Sequence, residues 1–256
     1  MLHGMQAVRP PAVAGTFYPA DPVGLRNTVA RLLAAARPGT APKALIAPHA
    51  GYVYSGPIAA SAFARVVDAP MPRVVLLGPS HYAYLRGSAL PDARAMRTPL
   101  GDVPIEELPL PRDHAAHAQE HSLEVELPFL QIALPLRTVA PLAVGDAEPE
   151  DVAAVLEQLW GGAETLIVVS SDLSHHLPYE DALQMDAATA KEILALGRLA
   201  HDDACGSAPI NGLLLAAKRK EMRPELIDLR NSGDTAGDKR SVVGYGAFAF
   251  YEEKDG

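Results

Sequence analysis

The chain has 256 residues, carries a formal net charge of −9 and is 48% hydrophobic, so it can bury a substantial core. No apolar run reaches the roughly 18–20 residues that a membrane-spanning helix needs, and the scattered lysines and arginines argue against a nucleic-acid or anionic-membrane partner. The single cysteine excludes an internal disulfide and, with no signal-peptide pattern at the N-terminus, favours a cytoplasmic location. No repeat, low-complexity tract or linker divides the chain, which predicts one domain over residues 1–256.

Taken in order, the chain alternates helical and strand patterns after an extended, proline-rich leader at residues 7–19. Asp21 and Pro22 form an N-cap and first-turn signal for the first helix. The predicted helices cover residues 22–36, 55–67, 122–134, 149–160, 179–196 and 203–218. The predicted strands cover residues 44–47, 73–77, 137–144, 165–169, 225–229 and 242–251, with short strands and turns over 85–111. This alternation predicts an α/β fold with a mixed central sheet flanked by helices.

Histidines follow three of the predicted buried strands, in the polar turn that comes directly after each strand. They are His49 in Pro-His-Ala-Gly, His81 in Gly-Pro-Ser-His and His175 in Ser-Asp-Leu-Ser-His. In an open α/β sheet, ligands bind at the carboxyl ends of the strands, and neutral imidazole is a common ligand for zinc, copper, iron and nickel. A structural hydrogen bond explains any one such histidine, but the repeated context predicts a shared metal site.

Two further side chains are candidates for this site. Asp172, three residues before His175, is a ligand, an acceptor that orients an imidazole, or an Asx-turn residue. Cys205 is the only thiol of the chain, and a lone cysteine is often inert and buried. Cys205 lies near the start of the helix predicted at residues 203–218, and a helix N-terminus lowers the pKa of a thiol and favours the thiolate that binds metal. The inert and the metal-binding thiol are equally open on the sequence.

A second group of histidines, His114, His117 and His121, recurs at spacings of three and four but does not match His-Glu-x-x-His. We predict that His114 and His117 lie in a polar surface turn. His121, beside Glu120 at the start of an apolar helix, is a candidate general acid or base. No nucleotide-binding glycine motif and no Gly-x-Ser-x-Gly elbow occurs, so nucleotide cofactors and serine hydrolysis are unsupported. The polar segment 231–241 is expected to be a loop, at the rim of the site or elsewhere on the surface.

Seven short motifs are spread in order over almost the whole chain. They are Ala14-Gly15-Thr16-Phe17-Tyr18-Pro19, Pro48-His49-Ala50-Gly51-Tyr52, Gly78-Pro79-Ser80-His81, Glu120-His121-Ser122, Ser171-Asp172-Leu173-Ser174-His175, Ala204-Cys205-Gly206 and Val243-Gly244-Tyr245-Gly246. Together they resemble the Memo family, whose bacterial and archaeal members are also called AmmeMemoRadiSam system protein B. Memo proteins in turn resemble class III extradiol dioxygenases, non-haem iron enzymes that open catechol rings. The resemblance implies a single α/β domain of that dioxygenase type, with its site at the strand ends.

The resemblance also implies roles for individual residues. It implies that His49 and His81 are metal ligands and that Cys205 stands where the dioxygenases place a glutamate ligand. The catalytic or pocket residues that it implies are His175, His121 and Asp172. Because a thiolate is softer than a carboxylate, Cys205 shifts the preference toward copper or zinc. The expected cofactor is therefore a metal ion, with iron or copper favoured and zinc as a third option.

Three functions remain open on this sequence. The first is a metal-dependent redox enzyme that acts on a small molecule or O₂. The second is a non-enzymatic protein that reuses the fold to bind a metal or a protein partner. The third is a scaffold whose histidines make only structural hydrogen bonds. The sequence leaves open the substrate, the physiological metal and assembly into a homo-oligomer.

Overall fold

A computed structural model describes residues 7–252, and its elements follow the predicted alternation of helix and strand. The strands are β1 (Ala44–Ala47), β2 (Arg73–Pro79), β3 (Ser88–Ala89), β4 (Ala95–Thr98), β5 (Gly101–Pro104), β6 (Thr138–Val144), β7 (Thr165–Ser170), β8 (His175–Leu177), β9 (Arg223–Asn231) and β10 (Val242–Tyr251). The helices are α1 (Pro22–Ala35), α2 (Gly56–Phe63), α3 (His114–Ala118), α4 (Leu127–Ala133), α5 (Pro149–Leu159), α6 (Tyr179–Leu194), α7 (Ser207–Arg219) and α8 (Ser232–Thr235). Within residues 7–252 no helix combines the length and apolarity needed to cross a lipid bilayer.

Eight of the strands form one mixed sheet in the order β3-β6-β2-β7-β1-β10-β8, with β9 also paired to β10. The four central strands β6, β2, β7 and β1 are parallel. The outer strands β3, β8, β9 and β10 pair antiparallel to their neighbours, and β4 and β5 form a separate hairpin. Because β1 and β2 both run parallel to β7, the three strands end at the same edge of the sheet.

Apolar side chains on the two faces of the sheet form two separate cores. Leu45 and Ala47 of β1 pack into one core, and their neighbours Ala44 and Ile46 pack into the other, as the alternation of side chains along a strand requires. The first core is covered by α1, α2 and α4, and the second by α5, α6 and α7. The prediction of a single α/β domain with a mixed sheet between helices is confirmed.

The predicted helix over residues 122–134 is wrong in its first part, because α4 begins only at Leu127. The backbone N–H groups of His121 and Ser122 donate to the side-chain carboxylate of Glu120, at 3.0 and 2.9 Å. These two bonds tie the turn after Glu120 to a buried carboxylate, and the regular helix begins only after that turn. Pro128 then lies in the first turn of α4, where its missing N–H has no intrahelical partner to lose.

The predicted helix over residues 203–218 is also wrong at its start, since α7 begins at Ser207 and Cys205 lies outside it. The backbone N–H of Cys205 donates to the carbonyl of Asp172, and that of Gly206 donates to Ser171 Oγ. These bonds fasten the segment to the turn after β7, so the helix starts only beyond it. The segment 231–241, expected to be a loop, contains the four-residue helix α8.

A buried carboxylate holds the N-terminal leader against the turn before α4. Glu124 is fully buried and accepts hydrogen bonds from the backbone N–H groups of Ala12 and Val13, at 2.7 and 3.0 Å. Tyr18 donates its hydroxyl to the same carboxylate at 2.5 Å, and the buried Arg9 guanidinium pairs with it. Leader and turn are therefore joined through one charged side chain.

We predict that Glu124→Gln destabilises the protein by about 3–5 kcal/mol, because it leaves the buried Arg9 charge without its counter-ion. The free energy of unfolding is measured by urea denaturation, with Glu107→Gln, an exposed position, as the control. A loss below about 1 kcal/mol, the range of an exposed ion pair, would show that this buried pair does not hold the leader.

Candidate metal centre

Three histidines meet at the carboxyl edge of the sheet. His49 lies two residues beyond β1 and His81 two residues beyond β2, while His121 reaches the same place from the turn between α3 and α4. Each offers one ring nitrogen, and these three nitrogens lie within 4.8 Å of one another. Among residues 7–252 this is the one group of three or more histidine, cysteine or acidic side chains that meets this distance.

The three rings pack against one another, and the group is exposed to solvent on one side. His81 and His121 stack with centroids 4.8 Å apart and planes at 14°. His49 stands edge-on to both, at centroid distances of 5.3 and 5.4 Å. The His49 side is buried, whereas the His81 side chain is 27% exposed. A solvated ion or a small molecule therefore has access from the His81 side.

His81 is held by the carboxylate of Glu120. The Nδ1 of His81 lies 2.9 Å from Glu120 Oε1, and its backbone N–H donates to Oε2 at 2.6 Å. Burial raises the pKa of Glu120, but hydrogen bonds from His81 and Ser122 outweigh it and bring the pKa to about 2. Because an ionised carboxylate only accepts, Nδ1 of His81 carries the proton and Nε2 is free to bind a metal.

The other two imidazoles are neutral at physiological pH. Burial, together with the neighbouring His121 and His81, lowers the pKa of His49 well below its usual value. Burial also lowers the pKa of His121 to about 4, with Glu120 opposing the shift and His81 adding to it. Metal binding requires a deprotonated ring nitrogen. At neutral pH these two rings therefore offer a metal ion lone pairs that no proton occupies.

Cys205 lies beside His49 rather than within the group of three. Its Sγ is 3.3 Å from His49 Nε2 and accepts from the backbone N–H of Asp172, also at 3.3 Å. Burial and the charge of Asp172 raise the pKa of the thiol to about 12. Of the two alternatives, the lowered pKa is wrong, because the thiol precedes α7 and is shielded next to a carboxyl group.

Asp172 also supports His49 directly. Its Oδ1 accepts the backbone N–H of His49 at 2.8 Å. Burial raises the pKa of Asp172 to about 7, although the hydrogen bond from His49 works in the opposite direction. A carboxyl group with such a pKa can give up or take up a proton near neutral pH.

His175 lies at the edge of the site, at the first residue of β8. Its Nδ1 is 2.8 Å from the carbonyl oxygen of Leu173, which can only accept, so Nε2 carries the lone pair. The ring lines a cavity of about 390 Å³ together with His201 and Cys205. A second cavity, of about 410 Å³, reaches Cys205 past Tyr84. His175 therefore borders the cavity next to Cys205, close to the three-histidine group but not a member of it.

The remaining two histidines of the second group behave differently from each other. His114 is exposed, as predicted, but it is the first residue of the short helix α3 rather than part of a turn. His117 is buried, and its Nε2 is 2.8 Å from the carbonyl of Ala89, so the surface prediction is wrong for this residue. It satisfies a backbone acceptor of β3 and takes no part in the three-histidine group.

Comparison with known proteins identifies the relatives of the chain. Residues 9–249 match the family profile described as Memo-like protein. A MEMO1 family protein of Aquifex aeolicus is 38% identical over 267 residues, which cover 93% of this chain and 97% of that protein. The MEMO1 family protein of Archaeoglobus fulgidus is 34% identical over 270 residues, covering 95% and 99%. That of Sulfolobus acidocaldarius is 32% identical over 276 residues, covering 93% and 97%.

The chain belongs to the Memo family. In this Memo protein, Glu120 contacts Nδ1 of His81 and Ser170 contacts Nδ1 of His49. Sequence reasoning missed both of these supporting roles. Glu120 gives a signal in the sequence, since it directly precedes His121. Ser170 is the last residue of a buried strand, and its sequence neighbours give no indication of its contact with His49.

For this Memo protein we predict that His49→Ala, His81→Ala and His121→Ala each lower affinity for a divalent metal by at least about tenfold, since each removes a nitrogen ligand. Affinity is measured by competition titration of Zn²⁺ against a chelator, with circular dichroism to check the fold. His114→Ala is the matched control, because His114 is exposed and outside the group. If His121→Ala binds like the wild-type protein, the three-histidine group is not the ligand set.

Proposed function

We propose that this Memo protein holds one transition metal ion with His49, His81 and His121 and uses it for redox chemistry on a small molecule or O₂. The observation that carries the proposal is the approach of three ring nitrogens to within 4.8 Å at an edge open to solvent. Imidazole donors suit iron, copper and zinc. Such an ion, when bound, supplies electron transfer and Lewis acidity.

Cys205 is the fourth member of the proposed site. Its thiol is 3.3 Å from His49 Nε2, so its sulfur would be a further donor beside His49 and His81, the ligand pair that the sequence predicted. Its raised pKa means that the metal has to displace the thiol proton. Sulfur ligation favours copper or zinc over iron. Because zinc has no redox chemistry, copper is the first redox candidate and iron the second.

Two side chains are proposed to move protons at this site. Asp172, with its pKa raised to about 7 by burial, is suited to exchange a proton at neutral pH. His175 has an unprotonated Nε2 and lines the cavity that it shares with Cys205, which suits a general base. His121, predicted as an acid or base, is better placed as a ligand because its nitrogen belongs to the group of three.

The alternative function is metal binding without catalytic turnover. One observation favours it: the Cys205 sulfur is 3.3 Å from a proposed ligand nitrogen. A thiol close to a redox metal and O₂ is itself oxidised to sulfenic or sulfinic acid. Steady oxygenase turnover would therefore inactivate the site. The dioxygenase-like fold, the substrate, a protein partner and a cytoplasmic location stay predictions.

We predict that Cys205→Ser lowers the affinity for Cu⁺ more than the affinity for Mn²⁺, because the loss of a soft donor affects a soft ion most. Affinities are measured by competition titration under anaerobic conditions. Bound Cu⁺ should also protect Cys205 of the wild-type protein from alkylation, detected by mass spectrometry. Equal alkylation with and without Cu⁺ would place the sulfur outside the ligand set.

We also predict that the Fe²⁺-loaded protein does not sustain ring cleavage of catechol or protocatechuate. The protein is loaded anaerobically and exposed to O₂ while O₂ consumption and the yellow ring-opened product are followed. Consumption limited to a few equivalents, with oxidation of Cys205, is expected for single-turnover redox chemistry. No O₂ consumption at all would favour the alternative function. Sustained turnover with Cys205 still reduced would contradict the prediction.

A further inference from the structure

Ser170 makes three hydrogen-bond contacts at the end of β7, and all three are buried. Its Oγ lies 2.6 Å from the backbone carbonyl oxygen of Ser122 and 2.8 Å from Glu126 Oε1. The third contact is with His49 Nδ1, also at 2.8 Å. One hydroxyl therefore joins a proposed metal ligand, a buried carboxyl group and the turn that carries His121.

Counting protons assigns the direction of each bond. A hydroxyl has one proton to donate and two lone pairs to accept with. The carbonyl of Ser122 can only accept, so the proton of Ser170 belongs to that bond. The other two contacts must then be donated to Ser170. His49 donates from Nδ1–H, and Glu126 donates from a protonated Oε1.

The surroundings of Glu126 agree with a proton on its carboxyl group. The side chain is fully buried, and its Oε2 has no hydrogen-bond partner within the described part of the chain. An ionised carboxylate with one unpaired oxygen is far more costly to bury than a neutral acid. Burial raises the pKa of Glu126 well above its usual value, and the charge of Asp172 raises it further.

The titratable groups that face Glu126 add no positive charge at neutral pH. Asp172 lies beyond β7 and Tyr52 lies in the turn after β1. His49 faces it through Ser170, and its own pKa is lowered by burial. The nearest acidic neighbour in sequence, Glu124, is already paired with Arg9.

We propose that Glu126 is a neutral carboxylic acid at physiological pH and a positioning residue for two histidines of the metal site. By donating to Ser170, Glu126 leaves the Ser170 proton free for the carbonyl of Ser122, which directly follows His121. By accepting from Nδ1–H of His49, the same hydroxyl leaves Nε2 of that ring as the metal-binding nitrogen. The protonation state rests on the hydrogen bonds alone; its consequence for metal binding rests on the proposed function.

Ionising Glu126 would change this arrangement. A carboxylate would draw the single proton of Ser170 toward itself. The oxygen of Ser170 and the carbonyl oxygen of Ser122 would then face each other at 2.6 Å without a proton between them. The turn that carries His121 would lose its tie to β7. Glu120, unlike Glu126, supports its histidine, His81, as an ionised carboxylate.

The protonation state is tested in the metal-free protein by comparing wild type with Glu126→Gln in urea denaturation. If Glu126 is neutral when folded and ionised when unfolded, wild-type unfolding releases a proton, and stability falls as pH rises. Glutamine removes this dependence and still donates to Ser170. The ratio of the wild-type to the variant unfolding constant should rise about tenfold per pH unit between about pH 5.5 and 7.5. A ratio that does not change with pH would overturn the proposal.

A second measurement needs no variant that might unfold. The carbon-13 shift of the Glu126 carboxyl group in the wild-type protein should stay at its protonated position over the same pH range. Long-range ¹H–¹⁵N NMR should find the proton of the His49 ring on Nδ1. A carboxyl shift at the ionised position, or a His49 proton on Nε2, would contradict the assignment.

The consequence for the metal site is tested by Zn²⁺ titration of three variants. Ser170→Ala should lower affinity at least about tenfold and mix the two tautomers of His49, since it removes the shared hydroxyl. Glu126→Gln, which removes no charge, should lower affinity less than Glu120→Gln, which does. Equal losses in the two glutamine variants would contradict the neutral state of Glu126. If wild type itself fails to bind Zn²⁺, the proposed function fails while the unfolding test still decides the protonation of Glu126.

Discussion

The site depends on one constraint: three imidazoles can offer ligand nitrogens in one place only if the fold brings them to one edge and their second nitrogens have partners. The sheet satisfies the first half of this constraint by geometry, because β1 and β2 flank β7 and end together. Glu120 and Ser170 satisfy the second half by fixing Nδ1 of His81 and His49. The Tyr82 hydroxyl lies 3.2 Å from Nδ1 of His121. Each ring thus has its Nδ1 engaged, which leaves Nε2 as the nitrogen available to a metal.

The turn between α3 and α4 connects this site to the rest of the fold through three buried glutamates in three different states. Glu120 is an ionised acceptor for ring and backbone donors. Glu124 forms the ion pair with Arg9 and holds the leader. Glu126 donates a proton to Ser170 in the arrangement that we propose. Because these side chains fix the turn from three sides, His121 can be held next to His49 and His81 although it lies on no strand.

The sequence predicted the sheet and the positions of His49 and His81 because both follow from a local rule, a buried apolar run that ends in a polar turn. It did not predict that His121 completes the group, because that depends on a turn fixed by long-range contacts. The sequence also did not predict the raised pKa of Cys205. That pKa depends on burial beside Asp172 and on the start of α7 at Ser207. The burial of His117 was not predicted for a similar reason. Its ring contacts a carbonyl of β3, which is distant in sequence.

Anomalous scattering from crystals soaked with a transition metal tests the central claim most directly. The account predicts one strong peak at the metal edge, bonded to Nε2 of His49, His81 and His121. The same map would report the distance from the ion to the Cys205 sulfur. A peak held by other residues, or one bonded to His49 and His81 with His121 turned away, would contradict the three-histidine site.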